Sequence, residues 1–157
     1  MIRVQEGDFN IGEEIEALRK GSSGKVRTDI GAIVTFTGTV RDALREGAGE
    51  ISAMTLEHYP GMTEKELARI EEEARSRWPL QASLIVHRVG TLLPGDNIVL
   101  VVTASAHREA AFEAARFLMD YLKTSAPFWK RETGPQGEHW VEAKDTDDQA
   151  AARWREE

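Results

Sequence analysis

The chain has 157 residues, a formal net charge of −7 and no cysteine. That length suits one domain with a real core, and the absence of thiols excludes disulfides, cysteine zinc sites and any thiolate nucleophile or persulfide carrier on this chain. With 41% hydrophobic and 30% charged residues it is neither disordered nor membrane-embedded, and its acidity argues against a nucleic-acid partner.

A short strand is expected near Ile2–Val4, after which Asn10 caps a helix with Ile11, Ile15 and Leu18 on one face. The N-terminus lacks the charged start and apolar stretch of a signal peptide, so a cytoplasmic protein is expected. Gly21-Ser-Ser-Gly24 reads as a loop. Ile30–Arg41 reads as a strand rich in β-branched and aromatic residues, in which Gly38 marks a bulge or a close backbone approach. Asp42–Glu50 is polar with two glycines and is expected to be a mobile loop, and Ile51–Tyr59 a second strand.

Pro60-Gly61 turns the chain, and Thr63-Glu-Lys-Glu66 has the capping-box pattern that opens a helix carrying Leu67, Ile70 and Ala74. That helix ends at Trp78-Pro79. Leu80–Val89 and Asn97–Ala106 are further strands around the turn signal Leu93-Pro-Gly-Asp96. The apolar run Ile98–Val102 is far too short to cross a bilayer. A helix over 107–123 is expected to bury Phe112, Ala115, Met119 and Leu122. Phe128–Glu132 and His139–Ala143 flank Thr133–Gly137 as a hairpin, and the charged tail from Asp145 reads as a helix anchored by Trp154. Strands, helices and hairpins interspersed in this way predict an α+β (mixed α/β) domain spanning 1–157.

Chemistry concentrates in Met119–Glu132. Pro127 cannot continue a helix and pushes Ala126 out of the helical region, so Lys123 falls in the last turn of a helix and Lys130 on the extended segment beyond. Phe128 and Lys130 then share one face of that segment, with Trp129 and Arg131 on the other. Such a bend can gather two ammonium groups and an aromatic ring, which suits anion binding and proton transfer. The competing reading is two solvated lysines, one of them favoured by the helix dipole.

At Ala104–Arg108 a strand hands over to a helix, whose free N–H groups attract anions. His107 and Arg108 oppose the dipole there at a cost of roughly 0.3–1 kcal/mol each if charged, which either holds an anion or leaves a neutral histidine and a paired arginine. Arg41 at a strand end is by itself most simply solvated. Glu57 and His58 are adjacent on a strand and point to opposite faces, so they do not form an acid–base pair. The four histidines lack ligand spacing and no metal site is expected; the glycines form neither a dinucleotide fingerprint nor a phosphate-binding loop. A basic stretch over 107–131 on an acidic chain points to a small anionic ligand.

Val34–Arg41, Leu56–Met62, Ala74–Leu80, His87–Gly90, Ser105–Arg108, Met119–Glu132 and Trp140–Lys144 together resemble the large, catalytic subunits of molybdopterin synthase, over nearly everything from Ile30 to Trp154. Residues 1–29 add little. The resemblance implies an α/β hammerhead with an additional antiparallel sheet. It implies an enzyme that converts cyclic pyranopterin monophosphate into molybdopterin by installing two sulfurs as a dithiolene. The sulfur would arrive as a thiocarboxylate on the C-terminal Gly-Gly tail of a small ubiquitin-like subunit, in agreement with the missing cysteine. The large subunits would form a homodimer within a heterotetramer, with no resident cofactor, metal, nucleic acid or membrane.

Carried over by motif, Lys123 and Lys130 match the catalytic lysines, with Lys123 expected to exchange protons at the carbons receiving sulfur and Lys130 to stabilise substrate oxygens. Positive neighbours and partial burial are expected to lower a lysine's pKa toward a usable range. Thr39, Val40, Arg41, His107, Arg108, Arg131 and Glu132 match substrate-contacting positions; Phe36, Met119, Phe128 and Lys144 are expected to line the pocket. Lys144 stands where bacterial relatives carry an arginine that reaches the neighbouring subunit, and it keeps the charge but loses the bidentate fork. Two other classes remain: a non-catalytic dimeric anion-binding scaffold, and a lysine Schiff-base enzyme acting on a phosphorylated carbonyl compound.

Overall fold

The computed structural model describes residues 1–42, 52–135, 137–141 and 145–155. Its strands are β1 (Ile2–Gln5), β2 (Ala32–Thr39), β3 (Ala53–His58), β4 (Leu80–Arg88), β5 (Gly90–Leu92), β6 (Asn97–Ser105), β7 (Phe128–Gly134) and β8 (Gly137–Val141). The helices are α1 (Ile11–Lys20), α2 (Met62–Arg77), α3 (Arg108–Leu122) and α4 (Asp145–Ala152). One sheet runs β1-β4-β6-β2, with β1 parallel to β4 and the rest antiparallel. The other runs β5-β3-β7-β8 and is antiparallel throughout. This is the expected α+β fold with its additional antiparallel sheet.

Ile98–Val102 is continuously apolar because the first sheet is covered on both faces. Ile85, Val99 and Val101 pack against Leu67, Ile70, Ala74, Phe117, Leu118 and Trp154 on the side of α2 and α3. Their neighbours Leu84, Val86, Leu100 and Val102 pack against Phe9, Ile11 and Leu18 on the side of α1. The period-2 alternation of each strand thus feeds two cores.

Asn10 caps α1 as expected, its Oδ1 accepting from the Glu13 N–H at 3.0 Å. Gly38 is a place of close approach: a Cβ there would sit 2.9 Å from a Val99 methyl, and the β2–β6 register shifts between Gly38 and Thr39. Trp154 is buried and donates its indole N–H to Asp120 at 2.7 Å, anchoring the tail as expected.

Three expectations are corrected. Phe112 is 60% exposed, because α3 turns Ala110, Ala111, Ala114, Ala115, Phe117, Leu118 and Leu122 inward instead. The start of α2 is capped two residues earlier, where Glu64 accepts from the Gly61 N–H at 2.7 Å. Thr63 is buried and otherwise occupied: its Oγ1 accepts from Tyr59 N–H and donates to the Pro127 carbonyl, both at 3.0 Å. Third, the hairpin closes tighter than expected, with Gly134 paired to Gly137. The short strand β5 has no counterpart in the sequence reading. The expected loop over 42–50 and the residues Ile51, Ala143 and Lys144 lie largely or wholly outside the described residues.

Thr63 therefore ties the start of α2 to the bend between Lys123 and Lys130. Thr63→Val keeps the shape but leaves a buried N–H and a carbonyl unpaired, and chemical denaturation should read a loss of about 1–3 kcal/mol. A change within about 0.5 kcal/mol would mean that those groups find other partners.

Candidate active site

Pro127 shapes the site. Its ring would collide with the carbonyl of the residue four earlier in a continued helix, and it supplies no N–H, so α3 stops at Leu122 with Lys123 as its C-cap. The Lys123 N–H still reaches the Met119 carbonyl at 3.1 Å, and Ser125 and Thr124 close the turn through Tyr121 and Asp120. The chain then enters β7, where Phe128, Lys130 and Glu132 face one way and Trp129 and Arg131 the other.

Between these elements lies a cavity of about 300 Å³ lined by Phe36, Gly38, Thr39, Arg41, Met54, His87, Ile98, Val99, Met119, Leu122, Lys123, Lys130 and Glu132. Its size is at the lower end of the small-molecule range of about 300–1,000 Å³. Three cations against one carboxylate give it a positive interior on a negative chain, which attracts and orients an anion. Lys130 Nζ is 3.6 Å from Glu132, and Glu132 is 3.8 Å from His139 Nε2. A groove of about 420 Å³ beneath α1 is larger, but its one arginine is already engaged with Asp29 and the Gln81 carbonyl.

The structure thus brings Phe36, Thr39, Arg41, Met119, Lys123, Lys130 and Glu132 together. Lys130 is half-buried and Lys123 exposed, so of the two lysines the partial burial falls on Lys130. Val40 is 3% exposed and packs with Met54, Leu56 and Leu92. Its backbone N–H and C=O bond to Asp96 and Gly95 at 2.9 and 2.8 Å, and so fix where Thr39 and Arg41 emerge. Phe128 stacks on His87 with ring centroids 3.8 Å apart and does not line the cavity. Arg131 lies over the Trp140 ring at 5.5 Å on the opposite face of the second sheet.

His107 and Arg108 also fall elsewhere. Both are exposed at the start of α3, beside a depression lined by Gly31, Ala32, Ala106 and Glu109. The fifteen residues of α3, beginning with Arg108 itself, lead from there to Lys123, a span of about 20 Å at 1.5 Å per residue. On one chain they do not share the Lys123 cavity.

Sequence reasoning missed the apolar lining residues Met54, Ile98, Val99 and Leu122 and, among titratable ones, His87. It sits in β4, 9% exposed, with Nδ1 2.8 Å from the Arg88 carbonyl oxygen. Burial lowers its pKa from about 6.5 to about 4; the Arg88 carbonyl opposes this, and the nearby charges of Lys123 and His58 add to it. Its signals in the sequence were a histidine directly after the apolar run Leu84–Val86 and the place of His87–Gly90 among the resembling motifs. Above about pH 6.5 the ring is neutral in both folded and unfolded states and stability is indifferent to it. Between about pH 6.5 and 4 the unfolded chain binds a proton that the folded chain refuses, so stability falls as pH falls, by roughly 3 kcal/mol from 1.36 kcal/mol per unit. Denaturation of the wild type and His87→Phe across pH 7 to 4 should show a slope that the variant loses.

Residues 4–125 match the model of the family described as MoaE protein. The chain belongs to the MoaE family. Two curated relatives called molybdopterin synthase catalytic subunit, from Mesorhizobium japonicum and Escherichia coli K12, are each 56% identical to this MoaE chain. The first alignment covers 98% of this chain and 92% of the relative; the second covers 93% and 92%. Among solved structures, the molybdopterin biosynthesis MoaE protein of Burkholderia ambifaria superposes with a TM-score of 0.81 at 53% identity, covering 99% of this chain and 97% of that one. Molybdopterin synthase from Staphylococcus aureus gives 0.77 at 30% identity, covering 89% and 96%. The chain is accordingly an enzyme of the molybdopterin synthase catalytic-subunit class. Among the described residues no helix is long and apolar enough to cross a membrane, and no group of three or more His, Asp or Glu side chains is placed to hold a metal.

Proposed function

We propose that this chain is the sulfur-transferring subunit of a cytoplasmic molybdopterin synthase, acting as one domain over 1–157 on cyclic pyranopterin monophosphate. The observation that carries the proposal is the meeting of Lys123, Lys130 and Arg41 in one cavity, from three elements separated in sequence, on a chain of this family. Arg41 and Lys130 hold the phosphate and carbonyl oxygens, with Glu132 orienting Lys130. Lys123, exposed at the cavity and free of the core, exchanges protons at the carbons that receive sulfur. Phe36 and Met119 supply apolar walls.

The chain has no cysteine, so sulfur enters as the thiocarboxylate of a small subunit's Gly-Gly tail. In each transfer sulfur replaces an oxygen on a substrate carbon, that oxygen leaving as water or staying on the phosphate as its ring opens, and water then cleaves the acyl–sulfur bond and returns the tail as a carboxylate. A cationic cavity suits that tail as well as the substrate, so tail binding weakens with salt. His107 and Arg108, roughly 20 Å along α3 from Lys123, serve this reaction only from a second copy, within a homodimer flanked by two small subunits. Lys144 is assigned the same cross-subunit role by its place in the motif, and Arg131 supports the sheet from behind.

Mixing the purified chain with thiocarboxylated small subunit and cyclic pyranopterin monophosphate should yield dithiolene product. Binding of both without product would establish the scaffold reading instead, and substrate trapped on Lys123 by borohydride the Schiff-base one.

A further inference from the structure

His87 reaches the cavity from β4, while Lys123 reaches it from the end of α3. Its ring is held from several directions. Phe128 covers one face at 3.8 Å with the planes 15° apart, and the backbone is gripped between β1 and β6 through Val4 and Val99. Nδ1 is 2.8 Å from the Arg88 carbonyl oxygen. A carbonyl only accepts, so Nδ1 carries the ring proton and Nε2 is left as a lone-pair acceptor. Lys123, by contrast, is an exposed amine on a flexible stem, and a stem of that kind does not place its own nitrogen.

We propose that His87 is a positioning residue for Lys123: its Nε2 accepts a hydrogen bond from the Lys123 amine and holds that amine against the reacting carbons. This rests on the sulfur-transfer reading above. The ring suits the task because it does not compete for the proton. Burial together with the charges of Lys123 and His58 keeps it neutral down to about pH 4, so it orients the lysine without capturing what the lysine must exchange. Among the described residues, the other charged or titratable groups around this corner are Arg41 beyond β2, His58 from β3, and Lys130 and Glu132 from β7. His58 Nε2 is itself 3.6 Å from Glu64.

Three variants separate positioning from packing. His87→Phe keeps the stack on Phe128 and deletes both nitrogens, His87→Asn restores a polar atom only near Nδ1, and His87→Gln restores an acceptor near Nε2. In the reconstituted synthase kcat should fall roughly tenfold to a hundredfold in the Phe and Asn variants, with KM changed less than about twofold and Gln recovering most of the loss. Equal behaviour of Asn and Gln, an undiminished Phe variant, or a loss confined to KM overturns the proposal.

A readout independent of activity is the ¹⁵N resonance of His87 in the wild-type chain and in Lys123→Met. Nε2 should lie in the unprotonated range and shift when the amine is removed. An unmoved resonance overturns the contact whether or not dithiolene forms. A moved resonance in a chain that makes no dithiolene keeps the contact and removes the sulfur-transfer reading.

Discussion

Lys123→Ala should lower single-turnover dithiolene formation by about a hundredfold to ten-thousandfold, the range spanned by removal of a positioned acid–base group. The side chain is an exposed C-cap that contributes nothing to the core, so the variant should melt close to the wild type and still bind the small subunit. Binding of the pterin substrate should weaken only modestly, because Arg41 and Lys130 remain in the cavity. Lys130→Ala should divide differently, raising KM as well as lowering kcat, since the proposed function has that half-buried amine beside Glu132 hold substrate oxygens. A Lys123→Ala chain that folds and turns over within about threefold of the wild-type rate would remove this lysine from the chemistry.

The second large effect is on stability. Phe117 is fully buried at the centre of an aromatic cluster, with ring centroids 4.7 Å from Tyr121, 5.3 Å from Trp78 and 5.5 Å from Trp154, and the Arg77 guanidinium 4.9 Å above it. Phe117→Ala removes a large apolar side chain and leaves a cavity that three rings and a guanidinium cannot collapse into, at a cost of about 3–5 kcal/mol. For a chain of this length that corresponds to a fall in melting temperature of roughly 10 °C. Phe112→Ala, on the exposed side of the same helix, should change it by less than about 2 °C. Equal shifts from the two variants would contradict the assignment of the inward face.

That pair also shows where the sequence was legible. Ala115, Met119 and Leu122 mark α3 in the sequence, but the same helical spacing takes in Phe112 and leaves out a face made of Ala110, Ala111, Ala114, Phe117 and Leu118. Alanines bring α3 close to its neighbours, and a count of bulky residues does not register them. The strands were clearer. Ile98–Val102 and Gly38 each carried a physical meaning in the chain itself, continuous burial in one case and a close approach in the other.

The bend at Pro127 was equally readable, because proline's geometry acts locally, and it correctly placed Lys123 and Lys130 around a turn. What closed the turn was not readable. Thr63 donates to Pro127 from 64 residues away, and its hydroxyl looked like an ordinary helix cap. Motif resemblance supplied Thr39 and Glu132, and also Arg41, whose strand-end position alone reads as solvated. It also grouped His107 and Arg108 with the lysines, although one helix length separates them in a single chain. His87 was missed because its meaning depends on Phe128 and Lys123, neither of them near it in sequence.

The central claim is that sulfur passes from a partner's tail to a pterin in the cavity of Lys123, Lys130 and Arg41. Its most direct test is a single-turnover mixture of this chain, cyclic pyranopterin monophosphate and a small subunit whose C-terminal thiocarboxylate carries labelled sulfur. The account predicts two labelled sulfurs in each product molecule and the partner's tail returned as carboxylate, with both lost in Lys123→Ala. Label that stays on a bound partner while the substrate remains intact would contradict it.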